Sequence, residues 1–190
     1  MEEGDSRGDR LVGGCTRMIS GSPGFRPIRI GVIGSATSSE RGAETARSVG
    51  RALGLAEAVL VCGGGTGMMA SAAAGSAAEG GIVIGILTGD DPEVAALGVT
   101  IPIATGLGES RNALVVKASE ALIAIEGEWG TLNEAALCMK IGRPLVGVGD
   151  ALGDRFPIER FQEPATAVAR ALELASARRH PDGGTEHKTR

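Results

Sequence analysis

Short apolar runs alternate along the chain with segments in which apolar residues recur at helical spacing. The apolar runs predict buried strands at 28–33, 59–62, 82–87, 121–125 and 144–148, with a shorter strand near 99–103 inside a long loop. The predicted helices span 40–53, 66–79, from after Ser110 to about Ser119, 131–141 and 165–175. This alternation predicts an α/β, Rossmann-like domain with a doubly wound, mainly parallel sheet and helices on both faces. Ligands of such sheets bind at the carboxyl ends of the strands.

The composition fits buried strands packed against helices of small residues. Of 190 residues, 43% are hydrophobic and 31 are glycine, but only three are Phe, one is Trp and none is Tyr. The core must therefore consist of Ala, Val, Ile and Leu, as in parallel sheets covered on both faces. The length suits one domain. Polar, aperiodic ends predict a disordered leader at 1–26 and a disordered tail at 178–190, which leaves 27–177 as the domain.

The charge balance disfavours nucleic acid as a partner. The formal net charge is −4 and the isoelectric point is near 5.3, so no broad basic surface is expected. The sequence has no apolar run of membrane-spanning length, and its first residues are acidic where a signal peptide would be basic. We therefore expect a cytoplasmic protein that does not associate with membranes.

The cysteines and histidines do not form a metal-binding or disulfide pattern. Cys15, Cys62 and Cys138 are odd in number and widely spaced, without a CxxC pair. His180 and His187 both lie in the predicted tail. We expect no metal site, and any acid or base catalysis must depend on carboxylates.

A glycine-rich loop joins the second predicted strand to its helix. Gly63-Gly64-Gly65-Thr66-Gly67 does not fit the dinucleotide fingerprint, because Met68 stands where a glycine is required, and no Walker lysine follows. Its backbone N–H groups and the helix start could hold a phosphate. The alternative is a tight turn that lets the helix approach the sheet, and the sequence favours neither.

A second loop, at 126–134, also precedes a predicted helix. Thr131 and Glu134 fit a capping box, in which both side chains bind backbone donors at the helix start, and this is the simpler interpretation. However, Trp129 is the only tryptophan, and a large aromatic side chain has little structural purpose at such a loop. The alternative is a surface on which a nucleobase or a pterin stacks.

Arg111 has an unusual position for a basic residue. It falls in the first turn of a predicted helix, where the helix dipole favours acidic side chains. An anionic ligand would explain this placement. A surface arginine with its charged group in solvent would explain it equally well.

Three segments together resemble the LOG family of Lonely Guy-type phosphoribohydrolases, and more specifically its bacterial branch related to molybdenum cofactor carriers. They are Gly-Gly-Gly-Thr-Gly-Met-Met at 63–69, Gly-Glu-Ser-Arg-Asn at 108–112 and Gly-Thr-Leu-Asn-Glu at 130–134, in the family's order and approximate spacing. The resemblance covers residues 28–150. It implies a Rossmann-like fold, a homodimer whose partner completes the pocket, and a nucleoside 5′-monophosphate seated on the Gly-Thr helix start.

The resemblance also implies roles for individual residues. Arg111 and Glu134 would be the catalytic pair: Arg111 positions the ribose phosphate, and Glu134 stabilises the charge developing on the ribose or activates water. The residues expected to contact the ligand are Gly34, Ser35, Gly63, Gly64, Gly65, Thr66, Gly67, Met68, Asn112, Gly127, Trp129, Gly130 and Thr131. The chain has Glu126-Gly127-Glu128 where cytokinin-activating members carry Pro-Gly-Gly, and Asn112 where they carry lysine. The two acids would repel a phosphate if they pointed into the site.

Three functions stay open at this point. The first is hydrolysis of a nucleoside 5′-monophosphate to free base and ribose 5-phosphate, which requires no cofactor. The second is non-catalytic carriage of a phosphorylated pterin such as molybdenum cofactor. The third is a nucleotide-sensing module akin to the Rossmann-like domain of DNA-processing proteins, although the acidic charge balance argues against its DNA-binding form.

Overall fold

Seven parallel strands form the centre of the computed structural model, which describes residues 26–179. The strands are β1 (Arg29–Ile33), β2 (Val59–Cys62), β3 (Val83–Leu87), β4 (Ile101–Ala104), β5 (Ala121–Ala124), β6 (Leu145–Val148) and β7 (Glu159–Phe161). Their order across the sheet is β4-β3-β2-β1-β5-β6-β7, and every neighbouring pair is parallel. The predicted doubly wound, Rossmann-like architecture is confirmed.

Five helices cover the two faces of the sheet. They are α1 (Glu40–Leu55), α2 (Met68–Ala78), α3 (Asn112–Ala118), α4 (Trp129–Ile141) and α5 (Pro164–Arg179). Helices α1, α2 and α5 pack on one face, and α3 and α4 pack on the other. In α1, the apolar residues Ala46, Val49 and Leu53 recur at helical spacing and are fully buried. Ser39 begins this helix by accepting a hydrogen bond from the Gly42 N–H.

The structure differs from the predicted elements mainly at their ends. Strand β7 was not predicted, and α5 continues past Ala175 to Arg179, so the first two residues of the predicted tail are helical. A short 3₁₀ turn at Gly108–Arg111 precedes α3. The rest of the predicted leader and tail, at 1–25 and 180–190, lies outside the described residues. No helix between residues 26 and 179 is both long and apolar enough to cross a membrane.

A cluster of charged groups joins the two ends of the described chain at the amino edge of the sheet. Arg179 donates hydrogen bonds to the Glu120 carboxylate and to the carbonyls of Arg26 and Pro27. Glu120 also accepts from the backbone N–H of Arg29 at 2.8 Å. Burial opposes ionisation of Glu120, but the hydrogen bonds and charges of the two arginines outweigh it and hold its pKa below the ordinary value.

Candidate functional site

A cavity of about 180 Å³ opens at the carboxyl ends of β1 and β2, next to the point where the strand order reverses between β1 and β5. Crevices at this position are the usual ligand sites of doubly wound sheets. We call this cavity the Arg111 pocket. Its lining residues are Val32, Ile33, Gly34, Ser35, Ala36, Gly63, Met69, Glu109, Arg111, Asn112, Glu128, Gly130, Thr131 and Glu134.

Arg111 and Glu134 lie together inside this pocket, and both are buried, with 8% and 6% of their surface exposed. Arg111 Nη1 is 3.8 Å from Glu134 Oε1, which is close enough for electrostatic attraction but too far for a hydrogen bond. Nη1 instead donates to Asn112 Oδ1 at 2.7 Å, and the buried Nε has no hydrogen-bond partner. The interpretation of Arg111 as a surface residue is therefore wrong. Both groups keep hydrogen-bonding capacity for a ligand.

The Glu134 carboxyl group titrates near neutrality. Burial raises its pKa from 4.5 to about 7; the Arg111 charge opposes this increase, and the Glu109 carboxylate at the pocket rim adds to it. A carboxyl group with this pKa can give or take a proton at neutral pH.

The loop after β2 brings its backbone close to the buried guanidinium. A Cβ on Gly63 would lie 2.5 Å from Arg111 Nη2, so the absence of a side chain makes room for the arginine. Gly67 has φ +67°, and a Cβ there would lie 2.3 Å from the Ala36 carbonyl oxygen. Gly67 is also the N-cap of α2, and no side chain caps this helix. The loop therefore leaves room for the Arg111 guanidinium and leaves the start of α2 without a side-chain hydrogen bond.

The start of α4 differs from the predicted capping box. The helix begins at Trp129, with Glu128 as an N-cap that makes no side-chain hydrogen bond to it. Thr131 is thus inside the first turn, and Glu134 points into the Arg111 pocket instead of back to the helix start. Trp129 is 82% exposed and does not line this pocket.

Glu126 and Glu128, the two acids at the place where cytokinin-activating LOG members carry Pro-Gly-Gly, have different surroundings. Glu126 is held by Ser39, whose hydroxyl lies 2.7 and 2.9 Å from its two carboxylate oxygens. Glu128 lines the Arg111 pocket and is exposed. Gly127 allows close packing, because a Cβ there would lie 2.4 Å from Thr131 Cβ. Glu126 therefore connects this loop to the start of α1 and does not project into the Arg111 pocket.

The structure brings together only part of the predicted ligand-contacting set. The predicted residues that line the Arg111 pocket are Gly34, Ser35, Gly63, Arg111, Asn112, Gly130, Thr131 and Glu134. Those that do not line it are Gly64, Gly65, Thr66, Gly67, Met68, Gly127 and Trp129. Met68 is fully buried, and the Thr66 hydroxyl donates to the Ala36 carbonyl at 3.1 Å. Sequence reasoning missed six pocket residues: Met69, Glu109 and Glu128, which lie in or beside the family motifs, and Val32, Ile33 and Ala36 at or just after the end of β1.

No group of three or more His, Cys, Asp or Glu side chains within 26–179 is arranged to hold a metal ion. Cys62 and Cys138 are buried free thiols. Burial raises the pKa of Cys62 to about 11 and that of Cys138 to about 12. The described cysteines are therefore thiols, not thiolates, at neutral pH.

The chain matches one family model, and it is similar to one curated protein and to several solved structures. A family model described as the SLOG cluster4 family matches residues 27–177. An uncharacterised protein of Archaeoglobus fulgidus is 35% identical over 116 residues, which are 61% of this chain and 76% of that protein. The molybdenum cofactor binding protein from the phototrophic bacterium Rippkaea orientalis is 28% identical with a TM-score of 0.74, over 79% of this chain and 98% of that one. The molybdenum cofactor carrier protein from Chlamydomonas reinhardtii is 31% identical with a TM-score of 0.68, over 80% and 99%.

Proposed function

We propose that this chain, which belongs to the SLOG cluster4 family, binds molybdenum cofactor, or a closely similar phosphorylated pterin, in the Arg111 pocket and acts as its carrier. The observation that carries this proposal is the buried Arg111 guanidinium, which lines the pocket and is oriented by its hydrogen bond to Asn112 Oδ1. Guanidinium N–H groups that face the pocket can form charge-assisted hydrogen bonds with phosphate oxygens of a ligand. Two similar solved structures are named for binding or carrying molybdenum cofactor, and this chain matches nearly their whole length.

The pocket offers groups for two parts of such a ligand. Helix α4 begins without a side-chain cap, and Gly130 and Thr131 of its first turn line the pocket, so its first-turn N–H groups are suited to phosphate oxygens. Asn112 holds the Arg111 guanidinium, which supplies positive charge in the same pocket. Glu109, Glu128 and Glu134 give the pocket more carboxylates than cations. This excess favours a ligand that also presents N–H groups, as a pterin ring does, over a sugar phosphate alone.

Anaerobic incubation with molybdenum cofactor, followed by gel filtration and molybdenum analysis, tests this proposal. We expect molybdenum to elute with the wild type and with Arg47→Ala, which removes an exposed arginine outside the pocket. Arg111→Ala should retain about tenfold less, the loss expected for one charge-assisted hydrogen bond. Equal retention by Arg111→Ala, or none by the wild type, would contradict the proposal.

A second candidate function is hydrolysis of a nucleoside 5′-monophosphate to free base and ribose 5-phosphate. The observation in its favour is the pairing of Glu134 with Arg111 in a buried site, with the pKa of Glu134 near 7. A carboxylate there can stabilise positive charge on a ribose ring or activate water, while the guanidinium holds the phosphate. No metal or cofactor is needed for this reaction.

Chromatography of free bases after incubation with a panel of 5′-mononucleotides tests the second function. Base should be released by the wild type and by Arg47→Ala, but not by Glu134→Gln, which keeps the shape of the side chain and removes its charge. The rate should also change with an apparent pKa near 7, because Glu134 titrates there. Absence of base release by the wild type would limit the function to binding.

A further inference from the structure

A second cavity, of about 530 Å³, opens beside the Arg111 pocket at the carboxyl ends of β5 and β6. We call it the Arg155 cavity. Residues that give it its chemistry are Arg41, Thr45, Glu126, Asp150, Arg155 and Gln162. It therefore contains two guanidinium groups and neutral hydrogen-bonding side chains, together with carboxylates, Asp154 included.

One loop separates the two cavities. Glu126 and Gly127 line the Arg155 cavity, and Glu128 and Gly130 line the Arg111 pocket. The two walls are also connected directly, because the Ser35 N–H in the Arg111 pocket donates to the Glu126 carbonyl at 3.0 Å. A ligand that crosses this loop would enter both cavities at the same edge of the sheet.

The loop after β6, which lines the Arg155 cavity, is held in a fixed shape. Arg160, on β7, donates hydrogen bonds to the carbonyls of Ala151, Gly153 and Phe156, and so holds the loop that follows β6. Leu152 in this loop has φ +65°, which is costly for a residue with a side chain and persists only where its surroundings impose it. This loop is thus formed before any ligand arrives, which lowers the entropy lost on binding.

The sizes of the cavities indicate what they hold. Small-molecule sites typically measure about 300–1,000 Å³, so the Arg111 pocket at 180 Å³ can enclose only part of a bound ligand. The Arg155 cavity at 530 Å³ is well within the typical range. Guanidinium groups recognise phosphate, and carboxylates accept hydrogen bonds from ribose hydroxyls and base amino groups.

Building on the proposed function, we propose that the Arg155 cavity holds the nucleotide half of a dinucleotide-type ligand whose phosphorylated pterin half lies in the Arg111 pocket. Arg41 and Arg155 bind the phosphate nearest the nucleotide, and the acidic side chains of the cavity accept from its sugar and base. The preferred cargo is then a pterin joined through phosphates to a second heterocycle and ribose, in preference to the simple phosphopterin.

Anaerobic titration calorimetry with GMP, molybdenum cofactor and its guanine dinucleotide form tests this assignment. Arg155→Ala should weaken binding of GMP and the dinucleotide form about tenfold or more and leave the simple cofactor within about twofold of the wild type. Arg41→Ala, which removes the other guanidinium of the cavity, should give the same pattern. Arg47→Ala, on the same helix as Arg41 but outside both cavities, should change none of the three affinities.

The outcomes separate this inference from the proposed function. The assignment of the Arg155 cavity to the nucleotide is refuted if Arg155→Ala and Arg41→Ala leave the affinities for GMP and the dinucleotide form unchanged. It is also refuted if binding of GMP depends on Arg111 instead. If binding of GMP depends on Arg155 while the simple cofactor binds to neither the wild type nor the variants, the Arg155 cavity is a nucleotide site and the proposed pterin function is wrong.

Discussion

Glu134→Gln should stabilise the protein above neutral pH, and the gain should disappear in acid. Burial raises the pKa of Glu134 from 4.5 to about 7 in the folded state. Between these two values the folded protein binds a proton that the unfolded chain does not, so stability falls as pH rises through this window. Glutamine does not titrate and resembles the protonated carboxyl group in shape and hydrogen bonding.

The size of the effect follows from the two pKa values. A pKa difference of about 2.5, at about 1.4 kcal/mol per unit, means that Glu134→Gln should be more stable than the wild type by about 3 kcal/mol above pH 7. At about pH 4 residue 134 is uncharged in both the wild type and Glu134→Gln, so the difference between their free energies of unfolding should approach zero. For a domain of this length, 3 kcal/mol corresponds to roughly 6–12 °C in melting temperature.

Urea unfolding of both proteins between about pH 4 and pH 8 measures the difference directly, because contributions from the other acidic groups cancel. Glu109→Gln is the matched control, since it removes an exposed carboxylate from the rim of the same pocket and should change stability by about 0.5 kcal/mol or less. A difference between Glu134→Gln and wild type that is constant with pH would refute the reasoning. Lower stability of Glu134→Gln at pH 8 would mean that attraction to Arg111 outweighs the cost of burying the carboxylate.

Four further predictions concern other residues and the assembly. Gly63→Ala should weaken cofactor binding in a titration but cause little loss of stability in urea unfolding, because its Cβ would displace only flexible side-chain ends. Gly67→Ala should lower the free energy of unfolding by about 2 kcal/mol or more, since its φ is +67° and a backbone oxygen lies where the Cβ would be. Cys62 and Cys138 should resist alkylation at about pH 8 until urea is added, and peptide mass spectrometry would measure their labelling. Labelling of either cysteine in the folded protein would contradict its burial. Iodide should quench the fluorescence of Trp129, which is 82% exposed in the single chain, and protection would indicate that another surface covers it. We propose a homodimer, so light scattering should give twice the chain mass of 19.1 kDa; the mass of one chain would exclude it.

Most of the fold could be predicted because buried parallel strands and amphipathic helices have distinct apolar patterns. Strand β7 could not, since Glu159 and Arg160 supply two of its three residues, and an edge strand paired only with β6 needs no continuous apolar run. The end of α5 was also missed. Arg178 and Arg179 are polar, but Arg179 is held by Glu120, which precedes β5 and is distant in sequence.

The site was predictable where it depends on strand ends and unpredictable where it depends on side-chain burial. Gly63, Arg111 and Glu134 converge because parallel strands end at one edge of the sheet. Their spacing could not reveal that the arginine is buried, since this depends on the close approach of the loop after β2. The capping box failed for a similar reason: α4 begins before Thr131, which leaves Glu134 free to enter the pocket.

The charged cluster that joins Arg179 to Arg26 and Pro27 determines where other polypeptides can be attached. Both ends of the described chain meet beside the beginnings of β1 and β5, at the edge of the sheet opposite the Arg111 pocket. A purification tag, a fluorescent fusion or a surface tether joined directly to Arg26 or Arg179 would therefore start from the side of the domain away from the ligand site. Because the ends are adjacent, the domain is also suited to insertion into a loop of another protein and to circular permutation, with new ends in an exposed loop.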